Sequence, residues 1–200
     1  GARGIVGKTM TAAVASRFAA CWGERLVATN DATPTVCLGR DSRSSGADLS
    51  AAAAEGLAST GCDVIDLGVV ATPTVGVMIG VTGAAGGVVM TASHNPTPWN
   101  GLKLLDHHGT APSPELAGSI ISTFTSENDV AAASEPGSIS SEQRGTDTHV
   151  SKVLGWMDPM PLRDRGFKVV LDSVNGAGVD GGRTLLDAFG ADVVHLGDQP

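Results

Sequence analysis

An eight-residue pattern occurs twice in this chain and constrains the fold more than any other feature. Gly61-Cys62-Asp63-Val64-Ile65-Asp66-Leu67-Gly68 and Gly190-Ala191-Asp192-Val193-Val194-His195-Leu196-Gly197 both fit G-x-D-V-x-x-L-G. Each copy reads as a strand, and each follows a strand–loop–helix of similar length. A β–α–β unit used twice accounts for both, because parallel strands need a crossover between them.

Strand and helix signals alternate along the rest of the chain, which gives an α/β class. Strands are predicted over 35–38, 62–67, 87–90, 102–105, 167–171 and 192–196. Helices are predicted over 47–59, 75–81, about 147–157 and 178–189. Met10, Val14, Phe18, Cys21 and Trp22 lie on one helical face. Arg17 interrupts that stretch, which argues against a signal peptide. Ser45 with Asp48 reads as a capping box. Thr72 then Pro73 reads as an N-cap followed by Pro at the first helical position. Ser113-Pro114 opens a helix with Leu116, Ile120, Ile121 and Phe124 inward. Residues 126–146 are rich in Ser, Glu, Ala and Gly without periodicity and read as a linker. The expected organisation is a first domain over 1–125, a linker over 126–146, and the start of a second domain over 147–200. Both ends read as cut. The chain opens at Gly1 without Met and closes at Pro200, just past a strand where an α/β unit is expected to continue.

A length of 200 residues allows one or two domains. The net charge of −8 makes a nonspecific nucleic-acid or anionic-membrane binder a poor fit. No apolar run is long enough for a transmembrane helix. Cys21, Cys37 and Cys62 are odd in number and form no C-x-x-C pair, against both a disulfide framework and a thiolate zinc site. A cytoplasmic location fits. Only four lysines occur, so a lysine in a polar loop stands out.

Residues 2–9, Ala-Arg-Gly-Ile-Val-Gly-Lys-Thr, approach a P-loop. They lack its first Gly and the strand before it. A Gly-rich lead-in loop is the plainer reading, and a third has Arg3 pointing into a phosphate site. Gly39-Arg40-Asp41-Ser42-Arg43 follows a strand at the edge where α/β proteins bind ligands. There Arg40 or Arg43 meets an anion, or an Arg–Asp pair simply orders the turn. In Thr91-Ala92-Ser93-His94-Asn95-Pro96 a hydroxyl sits at the end of a buried strand, clear of bulky neighbours. G-x-S-x-G is absent, so this is no hydrolase elbow. Adjacent Ser and His side chains are expected to diverge. The stretch is either a phosphoryl carrier or a plain turn. Ten residues on, Asn100-Gly101 signals a tight turn that would fold Lys103 back toward Ser93; otherwise Lys103 is a surface lysine. Gly176 and Gly178 read as a structural turn. Trp22, Trp99 and Trp156 read as packing residues. His107, His108, His149 and His195 show no ligand spacing.

Taken together, Thr91 to Pro96 with Asn100-Gly101-x-Lys103 resemble the active-serine signature of the α-D-phosphohexomutases. That family includes phosphoglucomutase, phosphomannomutase and phosphoglucosamine mutase. Arg3-Gly4 resembles its N-terminal arginine loop, Gly39 to Arg43 its G-R-D-x-R turn, and Val169 to Gly178 the opening of its second domain. The resemblance implies a four-domain enzyme of which this chain holds domain 1 and the start of domain 2. The expected fold is mixed β-sheets between helices in tandem similar α/β domains. It implies an intramolecular phosphotransferase interconverting hexose 1- and 6-phosphates of mannose, glucose or glucosamine. Ser93 would carry the phosphoryl group, and a hexose 1,6-bisphosphate would be the intermediate. Lys103 would be the acid/base, Arg3 its helper, and His94 would line the site. Arg40, Arg43, Asn95 and Asn100 would bind substrate or phosphate. Mg²⁺ would be held by the phosphate on Ser93 and by carboxylates outside this chain, since D-G-D-x-D-R does not occur here. The 200-residue chain alone is therefore expected to be inactive. The expected partner is a phosphosugar, with no nucleic acid and no membrane, in a monomer or homodimer. Arg3-Gly4-Ile5-Val6-Gly7 leans toward the phosphomannomutase/phosphoglucosamine mutase branch. Two alternatives are a non-catalytic module that keeps the fold and a P-loop nucleotidase.

Overall fold

Two strongly apolar stretches, β2 (Thr35–Arg40) and β4 (Gly86–Met90), lie side by side at the centre of a six-stranded sheet. Every residue of β4 is buried, as in a strand covered on both faces. The computed structural model describes residues 1–126 and 129–200. Its main sheet runs β1 (Ala2–Ile5), β5 (Trp99–Leu105), β4, β2, β3 (Asp63–Val69) and β6 (Ile139–Ser141). β4, β2, β3 and β6 are parallel, and β5 runs antiparallel to both of its neighbours.

Helices cover both faces. α1 (Ala12–Val27) and α2 (Gly46–Ser59) bury Phe18, Trp22, Leu49 and Leu57 with Val36, Leu38 and Met90. On the other face, α3 (Thr72–Thr82) buries Val75, Met78 and Ile79 with Cys37, Leu67 and Val89. Val36 and Leu38 thus feed one core and Cys37 the other, as the two-residue period of a strand requires. Each large apolar side chain so buried contributes about 1.5–3 kcal/mol. α4 (Pro114–Thr125) leans on α1 through an edge-to-face contact of Phe18 and Phe124, with centroids 5.2 Å apart. Ile120 faces inward, but Ile121 is exposed, against expectation, because the stripe that α4 buries is only one residue wide there.

The second unit holds α5 (Gly145–Leu154), α6 (Met160–Arg163), β7 (Lys168–Asp172), α7 (Val179–Ala188) and β8 (Asp192–Leu196). β7 and β8 pair in parallel around α7, as β2 and β3 pair around α2. The repeated pattern is structural. Gly61, Gly68, Gly190 and Gly197 all have positive φ, so each copy is a strand bracketed by left-handed residues that favour glycine. The α/β class and the mixed sheet flanked by helices agree with the sequence reading.

Several local expectations do not hold. The near P-loop is β1 followed by a turn in which Thr9 Oγ1 accepts from Ile5 N at 2.9 Å; no helix starts before Ala12, which removes the nucleotide reading. The stretch over 126–146 carries β6, too short to show a period; Asp63 Oδ1 fastens its approach by accepting from Ser138 N and Oγ, both at 2.7 Å. Residues 127 and 128 lie outside the described residues. Ser45 caps nothing with its hydroxyl, and Ala71 rather than Thr72 is the cap of α3. Trp22 is core, but Trp156 is 92% exposed, since no described element packs over it. Two histidines tie loops and helices together: His149 Nδ1 meets Thr74 Oγ1 at 2.9 Å, and His195 Nε2 meets Ser173 Oγ at 2.8 Å.

Candidate active site

β4 ends at Met90, and the chain turns sharply to present Ser93. Ser93 has φ +58°, a left-handed conformation that costs a non-glycine residue about 1–2 kcal/mol. A bonded network holds it there. Ser93 N donates to Thr91 Oγ1 at 2.9 Å, and Thr91 Oγ1 donates to Asp41 Oδ2 at 2.7 Å. Arg43 Nε donates to the same carboxylate oxygen at 3.1 Å. The turn that carries Asp41 and Arg43 follows β2, and Asp41 N donates to Met90 O at 3.0 Å, which brings the two turns together.

Arg43 spends its whole guanidinium on protein. NH1 donates to Pro96 O at 3.1 Å and Trp99 O at 3.2 Å; NH2 donates to Ser93 O at 2.8 Å and Asn95 O at 2.7 Å. With Nε on Asp41, all five N–H groups of an arginine are used. Arg43 is therefore not a phosphate ligand here. The Arg–Asp pair orders the turn and, beyond that, the serine loop.

The Ser93 hydroxyl is exposed in a cleft of about 500 Å³ lined by Ala2, Arg3, Thr72, Thr91, Ser93 and Lys103, among others. The ladder explains the two cations. Arg3 pairs with Gly101 across β1 and β5, and Lys103 lies two residues on, on the same sheet face. Leu102 and Leu104 turn to the core. Among the described residues neither Arg3 nor Lys103 enters an ion pair or side-chain hydrogen bond. Their charges face the cleft uncompensated.

The other expected residues fall elsewhere. Asn100 is fully buried; its Nδ2 donates to Ser45 Oγ at 3.0 Å, and its Oδ1 accepts from Gly101 N at 2.8 Å, so it binds no ligand. Asn100-Gly101 is not a turn but part of β5, because pairing with β1 extends the strand. Gly101 is needed for clearance: a side chain there would press on Ala2 O and Arg3 Cγ. Arg40 lines a separate hollow with Glu55, Asp66 and Asp180, away from Ser93. Asn95 offers its carbonyl to Arg43. His94 is exposed, and its Nδ1 stands 3.4 Å from Ser93 Oγ, nearer than the expected divergence but long for a hydrogen bond. In the second unit Gly176 N donates to Ser173 O at 2.7 Å, a structural turn as expected, and Ser42 Oγ reaches it by donating to Asn175 O at 2.7 Å.

The sequence reading has Asp41 only as the partner in an Arg–Asp pair and Thr72 only as a helix cap, and it gives Thr91 no role of its own. Asp41 and Thr91 lie inside motifs it quoted, and Thr72 follows β3 at the ligand-binding edge, which was the available signal. No cluster of three or more His, Cys, Asp or Glu side chains among the described residues could hold a metal ion. Asp41 is engaged by Arg43 and Thr91, so the residues present do not by themselves make a Mg²⁺ shell. No described helix is long and apolar enough to cross a membrane.

A family model described as phosphoglucomutase/phosphomannomutase, alpha/beta/alpha domain I, matches residues 1–131. A probable phosphoglucosamine mutase of Methanopyrus kandleri is 34% identical over 200 residues, covering all of this chain and 42% of the relative. A phosphoglucomutase/phosphomannomutase of Thermococcus kodakarensis is 35% identical over 201 residues, covering all of this chain and 44% of the relative. A crystal structure of a phosphoglucomutase/phosphomannomutase family protein from Burkholderia thailandensis superposes with a TM-score of 0.81 at 30% identity, covering 98% of this chain and 42% of that one. The chain thus spans less than half the length of the curated relatives it matches.

Proposed function

We propose that this chain, which belongs to the phosphoglucomutase/phosphomannomutase family, is the phosphoryl-carrying part of a phosphohexomutase. The observation that carries the reading is the exposed Ser93 hydroxyl in one cleft with the unpaired cations Arg3 and Lys103.

Phosphoryl transfer depends on positioning and on charge neutralisation, and the cleft offers both. In the first half-reaction the 6-hydroxyl of a hexose 1-phosphate attacks the phosphorus on Ser93. The O6–P bond forms as the Ser93 Oγ–P bond breaks; Lys103 enters this step as the neutral amine, takes the proton from the attacking hydroxyl and becomes the ammonium. Arg3 balances charge on the transferring oxygens. The hexose 1,6-bisphosphate then reverses, and Ser93 Oγ takes the phosphoryl group from O1, which recovers the proton. Phosphate has moved from C1 to C6. His94 borders the serine oxygen and contacts the phosphate. When bound, Mg²⁺ would be held in part by a phosphate oxygen on Ser93 and would supply charge neutralisation at the phosphoryl group; no carboxylate cluster among the described residues would complete its shell.

Glucosamine and mannose phosphates are the favoured substrates, on the residues Arg3-Gly4-Ile5-Val6-Gly7 and on relatives named for them. The full-length protein that carries this chain tests the reading. Peptide mass spectrometry is expected to find an added phosphate of about 80 Da on Ser93. Ser93→Ala is expected to abolish interconversion of the 1- and 6-phosphates. A serine that never carries phosphate, with full turnover in the alanine variant, overturns the reading. Parallel assays with glucosamine, mannose and glucose 1-phosphates decide the branch.

A further inference from the structure

We infer that Arg43 is the positioning residue of the phosphoryl carrier: its guanidinium, braced by Asp41, sets the backbone angle that aims the Ser93 hydroxyl into the cleft. This rests on the proposed role of Ser93. Ser93 is one of only three described non-glycine residues with positive φ, and the other two, Val174 and Asn175, lie in the second unit. A left-handed serine relaxes to the ordinary region unless both its peptide groups are held. Here both are. The C=O accepts from Arg43 NH2 at 2.8 Å, and the N–H reaches Asp41 through Thr91 Oγ1. Arg43 and Asp41 bond directly, so the two restraints close on one ion pair.

The same guanidinium draws in the carbonyls of Asn95, Pro96 and Trp99. Four carbonyls, three from the serine loop and one from the first residue of β5, converge on it. That geometry needs the planar fork of arginine; the ammonium of lysine has three donors and none of the fork. Arg43 does not line the cleft, so its action on a phosphosugar runs through the serine and not through binding. Loss of aim lowers the rate of transfer steeply, because reacting atoms must be held at near-attack distance.

The test is made on the full-length protein with Arg43→Lys, Thr91→Val and wild type. The assay substrate is the sugar 1-phosphate that wild type turns over. In Arg43→Lys, kcat is expected to fall at least about tenfold while KM changes less than about twofold, as when an interaction acting only in the transition state is lost. The rate at which Ser93 gains phosphate from hexose 1,6-bisphosphate, followed by mass, is expected to fall in parallel. Unchanged kcat with normal phosphorylation overturns the inference, and so does a loss confined to KM, which would make Arg43 a substrate ligand. Should Arg43→Lys melt below assay temperature, Thr91→Val decides: it keeps side-chain volume, cuts the link from Ser93 N through Thr91 Oγ1 to Asp41, and is expected to give the same kcat loss at constant KM. Wild-type kcat in Thr91→Val then overturns the inference. If wild type itself shows neither phosphate on Ser93 nor turnover, the proposed function fails, and the inference falls with it. Normal wild type with indifferent variants overturns the inference alone.

Discussion

Arg3 and Gly101 face each other across the β1–β5 ladder, and Arg3 Cγ fills the space that a side chain at position 101 would take. Gly101→Ala places a methyl against Ala2 O and 2.8 Å from Arg3 Cγ. The crowding is expected to cost about 1–3 kcal/mol and to push Arg3 off its path into the cleft. Urea unfolding reads the first effect. A fall in kcat/KM of the full-length protein reads the second.

Ser93 trades stability for reach. Ser93→Gly removes the hydroxyl and the backbone strain together, whereas Ser93→Ala removes only the hydroxyl. Glycine is expected to be the more stable of the two by about 1 kcal/mol, after its greater unfolded-state entropy is offset. Urea midpoints of the two variants compare directly. An equal or lower midpoint for glycine would show that the strain at this angle does not exceed the entropy cost of glycine.

The edge of the sheet is expected to loosen in acid. Ser138 Oγ and N hold the Asp63 carboxyl below the usual aspartate range. A lowered folded value means the contribution is fully present above the unfolded value, about 3.9, and is lost as pH falls through the folded one. Asp63→Ala is expected to cost about 1 kcal/mol at neutral pH, a figure held down by solvent around the carboxylate, and less in strong acid. Amide hydrogen exchange at Ser138, measured at pH 6 and near pH 3, follows the same release.

All three cysteines are buried and free, and burial pushes each thiol above its ordinary value. Ellman's reagent is expected to label none of them quickly in the folded chain and all three in urea, since only the thiolate reacts.

Thr74, fully buried on α3, bonds His149 on α5 and so joins the two units. Thr74→Val is expected to cost about 1 kcal/mol. Faster protease cleavage within 126–146 checks it.

The strands and helices that build the core were legible because their signals are local: Val36 to Leu38, Met10 to Trp22, and the repeated glycines. The serine turn was legible for the same reason, as a small-residue break after a buried strand. What escaped was set by contacts far apart in sequence. Nothing near Asn100-Gly101 says that β1 will pair with it, so the dipeptide reads as a turn. Nothing near Arg43 says that four carbonyls more than forty positions on will absorb its charge. Ser45 likewise looks like a cap until Asn100 arrives beside it. β6 escaped because its three residues borrow their pairing from β3.

β5 carries Lys103 between Leu102 and Leu104, both locked in the core. A slip of one residue along its neighbours would drive the ammonium into oil and leave two leucines wet. The cation is thus pinned by its greasy flanks, and it cannot wander along the strand without melting the domain that bears it.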